Sequence, residues 1–364
     1  MLKVIHGADF HLDAPFHALP PEKAAGRRAE QRELLFRLAE LANREGADLV
    51  LLSGDLFDGA EIYGETLEAL EKALGSIRGQ VFIAPGNHDF WSARSPYAAL
   101  EWPENVHIFT EPHLETVELP ELGCTVYGAA FTGAHRSDRV LEGFHAPEDG
   151  KIHLLVLHAD GTPNSTYGPI TEEDLAGSGL DYAALGHIHA RIGPRRAGAT
   201  VWAYPGCPEG RGFDELGDKG VLCGSVEQGN VQMDFVPLCS RRYLIREVDV
   251  TARMPEEALR EALPEGESPD FCRILLTGER GMEGLDLEKL EALARPHYYS
   301  VSVRDKTRMC QDLWARAEED TLTGLFLRAM RRRLEEAHDE EARAAVERAA
   351  RFGLAALENR EEPQ

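Results

Sequence analysis

A chain of 364 residues is long enough for one large domain and one or two small ones, and 43% apolar with 28% charged residues gives it a substantial core and excludes intrinsic disorder. No apolar run approaches the ~20 residues of a bilayer span, no basic-then-apolar leader opens the sequence, and six scattered cysteines without a Cys-x-x-Cys pair predict a reduced, cytoplasmic protein rather than a disulfide framework or zinc site. A net charge of −24 excludes broad, nonspecific attraction to nucleic acid, so a DNA partner has to be held by local basic patches, bound metal or another subunit.

Lys3-Val4-Ile5-His6 reads as a short strand leading into Gly7-Ala8-Asp9-Phe10-His11. Asp9 and His11 are two apart, so on extended backbone both point to one side, where a carboxylate and an imidazole can share a divalent cation. Leu34, Leu35, Leu38, Leu41 and Ala42 recur at helical spacing within residues 27–45, and Gly46 closes that helix. The apolar strand Asp48–Ser53 then ends in Gly54-Asp55-Leu56-Phe57-Asp58. A second helix covers about 63–77, with Leu67, Leu70 and Leu74 inward. It feeds the strand Gln80–Ile83, after which Pro85 and Gly86 present Asn87, His88 and Asp89 on a loop. The order is β-α-β-α-β with a polar loop after each strand, and right-handed crossovers bring the three loops to one edge of a parallel sheet.

Short strands at 106–109 and 124–127 follow. Ile152–Leu157 is a buried strand ending in His158, and Asp181–Leu185 is another ending in Gly186-His187-Ile188-His189. Beyond Tyr204-Pro205-Gly206, the runs Val221–Glu227 and Val231–Val236 flank Gln228-Gly229-Asn230, a hairpin signal, and predict a second, largely antiparallel sheet packed on the first. A strand at 243–250, a helix at 255–263, a strand at 273–277, a helix at 286–294 and a strand at 298–303 make a small α+β unit of βαβαβ order. Two charged amphipathic helices over 311–358 form a tail.

The strand ends collect Asp9, His11, Asp55, Asn87, His158, His187 and His189. Oxygen and imidazole donors without thiolate suit Mn²⁺, Fe²⁺ or Zn²⁺ in two neighbouring sites, and the two oxygens of Asp55 can bridge them. A metal pair is the clamp used for phosphoester displacement. His88, next to Asn87, is placed to protonate the leaving oxygen, with Asp89 or Asp58 to orient its ring. In the loop Tyr204–Phe213, Gly206 and Gly210 allow close backbone approach to a phosphate and Arg211 can pair with it.

Asp-x-His, Gly-Asp-x-x-Asp, Gly-Asn-His-Asp, a strand-end His and Gly-His-x-His, in this order, resemble the signature of the calcineurin-like metallophosphoesterases. The resemblance implies a four-layer α/β/β/α sandwich. It also implies one metal on Asp9, His11, Asp55 and His189, another on Asp55, Asn87, His158 and His187, and His88 as the catalytic histidine. Ser/Thr protein phosphatases carry Arg-Gly where this chain has Gly59-Ala60, and Glu where it has Asp89, so that class is disfavoured. Cyclic-nucleotide phosphodiesterases share all five motifs.

Ala8–Phe16 and Tyr204–Phe213 look like the SbcD-type DNA repair exonucleases, in particular their shorter YhaO-like branch. That branch implies a catalytic domain over 1–239, a capping domain over 240–306 that admits DNA, and a helical tail over 307–364 that binds an SbcC-like SMC-type ATPase. It also implies Mn²⁺ as the metal (Fe²⁺, Zn²⁺ or Mg²⁺ as alternatives), 3′→5′ digestion and a homodimer. Arg241, Arg242, Arg304, Lys306 and Arg308 are candidate contacts to backbone phosphate. Two other readings stand beside the nuclease: a small-molecule or cyclic-nucleotide phosphodiesterase, which the acidic charge supports, and a catalytically idle scaffold, which the complete ligand set argues against.

Overall fold

The computed structural model describes residues 1–59, 62–162, 164–280, 284–309 and 313–357. Contacts divide the chain into two units: Met1–Ile245 with Glu267–Arg273 and Tyr298–Ser300, and Arg246–Gly266 with Ile274–His297 and Val301–Gln364.

In the first unit β1 (Leu2–Gly7), α1 (Pro21–Glu45), β2 (Leu49–Leu52), α2 (Gly64–Gly75), β3 (Gln80–Ile83), α3 (Pro96–Ala99) and β4 (Val106–Ile108) are followed by β5 (Glu115–Leu119), β6 (Cys124–Ala129) and β7 (Ile152–His158). Then come α4 (Glu172–Gly177), β8 (Tyr182–Gly186), β9 (Ile192–Ala197), β10 (Thr200–Tyr204), β11 (Gly220–Glu227) and β12 (Asn230–Pro237). Helix α1 starts six residues before the expected position, because Pro21 sits at its first turn, where a missing N–H costs nothing. Gly46 ends it in the left-handed conformation, as its position in the sequence predicts.

The strands form two six-stranded sheets, β12-β11-β1-β2-β3-β4 and β5-β6-β7-β8-β10-β9. Alternation along the strands shows how they stack. Val50 and Leu52 of β2 pack with Leu34, Leu38 and Leu70 of the helices, whereas Leu49 and Leu51 pack with Leu154, Val156 and Ala184 of the other sheet. On β7, Leu155 and Leu157 turn the opposite way, to Leu175 of α4 and Trp202. The layers are therefore helix, sheet, sheet, helix, as the resemblance implies.

The hairpin corrects the sequence reading. Strand β11 runs antiparallel to β1 and extends the first sheet rather than founding the second. The second sheet is parallel through β6, β7, β8 and β10, with antiparallel edges at β5 and β9. The free edge of β1 needed a partner, and the Val/Leu-rich β11 satisfies it, which turn chemistry alone does not reveal.

Two contacts set how the strand ends meet. Ser53 Oγ donates to Ala184 O at 2.9 Å, and a Cβ at Gly186 would collide with the Ser53 carbonyl oxygen, so only glycine lets the loops after β2 and β8 approach this closely. Deeper in the same layer, His6 is fully buried, with Nδ1 2.8 Å from Tyr182 Oη and Nε2 3.1 Å from Leu185 O.

Burial lowers the pKa of His6 to about 3, against a small opposing effect of the Leu185 carbonyl. The unfolded chain therefore takes up this proton first. The contribution of His6 is complete above its ordinary value of 6.5 and is lost as pH falls toward 3. Between pH 7 and pH 5 the unfolding free energy is expected to drop about 2 kcal/mol more in the wild type than in His6→Gln, read by urea titration.

In the second unit α5 (Pro255–Ala262) and α6 (Leu287–Ala294) lie in contact. The division between units runs through β13 (Tyr243–Asp249), β14 (Ser268–Thr277) and β16 (Tyr298–Asp305), which form one sheet in the order β13-β14-β16, and the expected βαβαβ order is present. Strands β15 (Glu279–Arg280) and β17 (Arg308–Met309) pair in parallel. Helices α7 (Leu322–Glu336) and α8 (Glu340–Leu357) form a hairpin; the expected tail also includes 311, 312 and 358, which lie outside the described residues. Among the described residues no helix is long and apolar enough to cross a membrane.

Candidate metal centre

The metal-ligand, catalytic and phosphate-loop residues selected from the sequence all lie in the first unit, where backbone bonds stitch the loop after β1 to the loop after β2, and the Asp55 and Asp89 side chains tie in the loop after β3. Asp9 N donates to Gly54 O at 3.0 Å, His11 N to Asp55 O at 3.0 Å, Leu12 N to Leu56 O at 2.9 Å and Asp58 N to Leu12 O at 3.1 Å. Holding these loops takes unusual backbone: Asp9, His11, Asp55 and His187 have φ of 56°, 45°, 50° and 102°. Each such non-glycine residue costs of order 1–3 kcal/mol and persists only where its surroundings overdetermine it. Four of the seven predicted ligands are held this way.

Two clusters result. In the first, His11 Nε2 is 3.2 Å from His189 Nε2 and 3.7 Å from Asp55 Oδ2, and Asp9, His11 and His189 bring one donor atom each within 4.8 Å of one another. In the second, His158 Nε2 is 3.0 Å from Asn87 Oδ1 and 3.4 Å from Asp55 Oδ2, and His187 Nδ1 is 3.2 Å from Asn87 Oδ1 and 3.3 Å from His158 Nε2. Asp55 stands between the clusters.

The proton positions follow from the outer partners. His158 Nδ1 faces two acceptors, the Ser53 carbonyl at 2.9 Å and Asp9 Oδ1 at 3.9 Å, so it must donate, and Nε2 is a bare lone pair. His11 Nδ1 faces Asp58 Oδ1 at 3.0 Å and His189 Nδ1 faces Glu215 Oε1 at 2.7 Å, so their Nε2 atoms are lone pairs as well. Burial keeps His11 neutral, its pKa lowered to about 4 although Asp58 pulls upward. Burial and then His158 lower His187 to about 4. Lone pairs and carboxylate oxygens therefore converge on the same space, an arrangement that a cation satisfies.

The carboxylates respond to the same crowding. Burial and then the Asp55 charge push Asp9 well above the usual range, against donation from His187 N at 3.0 Å. Burial also pushes Asp55 upward, but the surrounding imidazoles of His158, His11 and His88 outweigh it and hold it low.

Of the residues assigned to the chemistry, His88 is exposed at the lip. Its N–H donates to Asp55 Oδ1 at 2.9 Å, and its Nδ1 lies 3.3 Å from Asp58 O. The carboxylates expected to orient this ring are engaged elsewhere. Asp58 Oδ1 holds His11, and Asp89 accepts from Gly86 N at 2.7 Å, Leu56 N at 2.7 Å, Phe57 N at 3.1 Å and Tyr97 Oη at 2.5 Å. Burial, and next the Asp55 charge, push Asp89 up to about 6 against those donors.

Arg211 reaches Asp58 Oδ1 from Nη1 at 3.0 Å and Glu215 Oε1 from Nη2 at 3.2 Å. Gly206 (φ 78°) and Gly210 lie against backbone: an added Cβ would sit 2.7 Å from His189 O and 3.0 Å from Glu215 O. Glu215 and Asp160, the latter 3.7 Å from His187 Nε2, are site residues that the sequence reading missed. Asp160 is a single acid in an otherwise uncharged loop and Glu215 is one of several acids in a charged one, and no spacing marks either. Burial pushes Glu215 upward, but its bond from His189 and the charge of Arg211 hold it well below the carboxylate range.

A methyl at Gly86 would collide with Asp55 Oδ1 and lie 2.6 Å from Asp55 N. Gly86→Ala is expected to weaken divalent-metal uptake at least about tenfold in calorimetric titration, with native helix content in circular dichroism.

The calcineurin-like phosphoesterase family model matches residues 2–191. The chain belongs to the calcineurin-like phosphoesterase family. It is a metal-dependent phosphoesterase hydrolase of a family that binds divalent metals, and the clusters above provide a suitable donor set.

The chain is 31% identical over 297 residues to the uncharacterized metallophosphoesterase YhaO of Bacillus subtilis (strain 168), across 76% of this chain and 72% of that protein. It is 24% identical over 338 residues to the DNA double-strand break repair protein Mre11 of Methanopyrus kandleri, across 85% and 72%. It is 22% identical over 312 residues to the SbcD subunit of the nuclease SbcCD of Staphylococcus epidermidis, across 76% and 79%. Relatives of this calcineurin-like phosphoesterase thus include a subunit of the nuclease SbcCD and the break repair protein Mre11, in accord with the SbcD-type resemblance of the sequence.

Proposed function

We propose that this chain is a two-metal phosphodiesterase, and specifically a Mn²⁺-dependent DNA exonuclease that digests 3′→5′ in double-strand-break repair together with an SbcC-like SMC-type ATPase. The observation that carries the phosphodiesterase reading is the convergence of acceptor atoms around Asp55 directly beneath His88. Asp9, His11, Asp55 and His189 would hold one cation, and Asp55, Asn87, His158 and His187 the other. When bound, such ions supply positive charge to the phosphoryl oxygens and acidify the attacking water.

The chain's own residues do the rest. Asp55 Oδ1 fixes the His88 backbone, and the Asp58 carbonyl accepts a hydrogen bond from His88 Nδ1–H. The imidazolium form of the ring, which carries a second proton on Nε2, delivers that proton to the leaving oxygen and keeps the one on Nδ1. Asp89 holds the loops after β2 and β3 at a fixed spacing, so His88 and Asp55 move as one piece.

The relatives named for nuclease activity and break repair support DNA as substrate. The homodimer, the cytoplasmic setting and the division into a catalytic domain (1–239), a DNA-admitting cap (240–306) and a partner-binding tail (307–364) belong to the same proposal and rest on the resemblance of the sequence alone. Leu322, Leu325 and Phe352 are exposed on α7 and α8, which suits a docking tail.

One observation favours the small-molecule phosphodiesterase as a second reading. Arg241 and Arg242, expected on phosphate, bond within the chain to Glu30 at 2.7 Å and to Asp270 at 2.7 Å. The test is a linear duplex labelled at either end, with Mn²⁺ and with His88→Ala as control. Shortening from the 3′ ends that disappears in the variant is the expected result. Intact DNA beside hydrolysed bis(p-nitrophenyl) phosphate would shift the assignment to the second reading.

A further inference from the structure

Both imidazoles that face the first cation position are held from behind, and the groups behind them close on a single guanidinium. His11 donates from Nδ1 to Asp58 Oδ1 at 3.0 Å and His189 from Nδ1 to Glu215 Oε1 at 2.7 Å. Arg211 joins those two carboxylates: Nη1 is 3.0 Å from Asp58 Oδ1, Nη2 is 3.2 Å from Glu215 Oε1, and the backbone N–H is 2.7 Å from Glu215 Oε2. Nη2 also lies 3.1 Å from His189 Nδ1. A guanidinium can only donate, so that contact would need a bare Nδ1; the shorter, charge-assisted contact to the carboxylate decides that Nδ1 carries the proton.

We propose that Asp58, Glu215 and Arg211 form a clamp that fixes His11 and His189 with Nε2 toward the first cation, with Glu215 as the positioning residue on which that cation's affinity depends. The proposal rests on the two-metal reading above. A neutral imidazole free to exchange tautomers presents a proton to the cation part of the time, and a ring free to rotate presents carbon. The carboxylate partner removes both alternatives. With Nη1 on Asp58 and with Nη2 and its backbone N–H on Glu215, Arg211 is a structural link in this cluster rather than a hand extended to substrate, although its Nε is without a partner among the described residues.

The second position is held differently. A backbone carbonyl, Ser53 O, orients His158, and Asp160 stands 3.7 Å from His187 Nε2. Neither arrangement involves Glu215. Loss of Glu215 therefore acts on one cation and spares the other, a selectivity that general loosening of the fold would not produce.

The experiment is a calorimetric titration of the full, metal-free chain with Mn²⁺, alongside ¹⁵N spectra of the histidine rings. The wild type is expected to show two binding events, and Glu215→Ala to weaken one of them about 10–100-fold while leaving the other in place. Glu215→Gln keeps an oxygen acceptor for Nδ1 and is expected to recover most of the loss. Arg211→Met leaves the Glu215–His189 bond intact and is expected to weaken the same event by a smaller factor. In the metal-free spectra, one ring locked with a bare Nε2 in the wild type should become a tautomer mixture in Glu215→Ala. Two events of unchanged strength in Glu215→Ala, or both weakened equally, would overturn the clamp alone. A wild type that takes up no Mn²⁺ would overturn the two-metal reading itself, and the clamp's purpose with it.

Discussion

Asp55→Asn is expected to lower Mn²⁺-supported hydrolysis of bis(p-nitrophenyl) phosphate by at least ~10³-fold, about 4 kcal/mol of transition-state stabilisation. Asp55 faces both clusters: Oδ2 lies 3.7 Å from His11 Nε2 and 3.4 Å from His158 Nε2, and Oδ1 accepts the backbone N–H of His88. An asparagine has the same shape, one oxygen fewer and no charge. Its amide hydrogens would fill the space between lone pairs that now requires a cation. One substitution therefore weakens both positions and the seat of His88 together. Unlike Gly86→Ala, it adds no atom to the loop, so native helix content in the variant would assign the loss to charge. A fall of less than tenfold would mean that Asp55 does not link two cations.

The second large effect concerns stability. Arg27 of α1 is completely buried, and its Nη2 donates to Glu209 Oε1 at 2.6 Å and to Gly210 O at 3.1 Å, while Nη1 meets Glu30. Glu209, 1% exposed, also accepts from Ser240 N at 2.7 Å. The guanidinium lies between the rings of Phe16 and Phe271, 5.5 and 5.6 Å from their centroids. Arg27→Met leaves the Glu209 carboxylate buried with its cation gone, and is expected to cost about 3–5 kcal/mol in urea unfolding. The double variant Arg27→Met with Glu209→Leu is expected to recover part of that loss, because the buried charge goes with its partner. If the double variant were as unstable as the sum of the two single changes, the loss would lie in packing rather than in an orphaned charge.

Much of the site is legible in the sequence because metal chemistry writes itself into short local patterns. Asp9 with His11, Gly54-Asp55, Gly86-Asn87-His88 and Gly186-His187-Ile188-His189 each occupy one loop, and each loop follows a strand whose apolar run fixes its end. Convergence then follows from parallel topology. The residues behind the donors are not legible. Glu215 reaches His189 only because the chain after β10 folds back onto the loop after β8, and no spacing in the sequence encodes that return. Adjacency in the sequence suggests Asp89 as a partner for the His88 ring, yet adjacent residues on a tight loop point apart, and Asp89 faces inward to Gly86, Leu56 and Phe57. Gly229 marks the hairpin but not its sheet, because a turn fixes the pairing of its own strands and says nothing about which free edge they join.

The most direct test of the central claim is a crystal of the chain soaked in Mn²⁺, with an anomalous difference map computed at the manganese edge. Two peaks are expected on either side of the Asp55 carboxylate, one beside His11 and His189 and one beside Asn87 and His158. Neither should appear in Asp55→Asn crystals treated identically. A single peak would contradict the two-metal account, and a map without peaks at full soaking concentration would contradict the metal centre altogether.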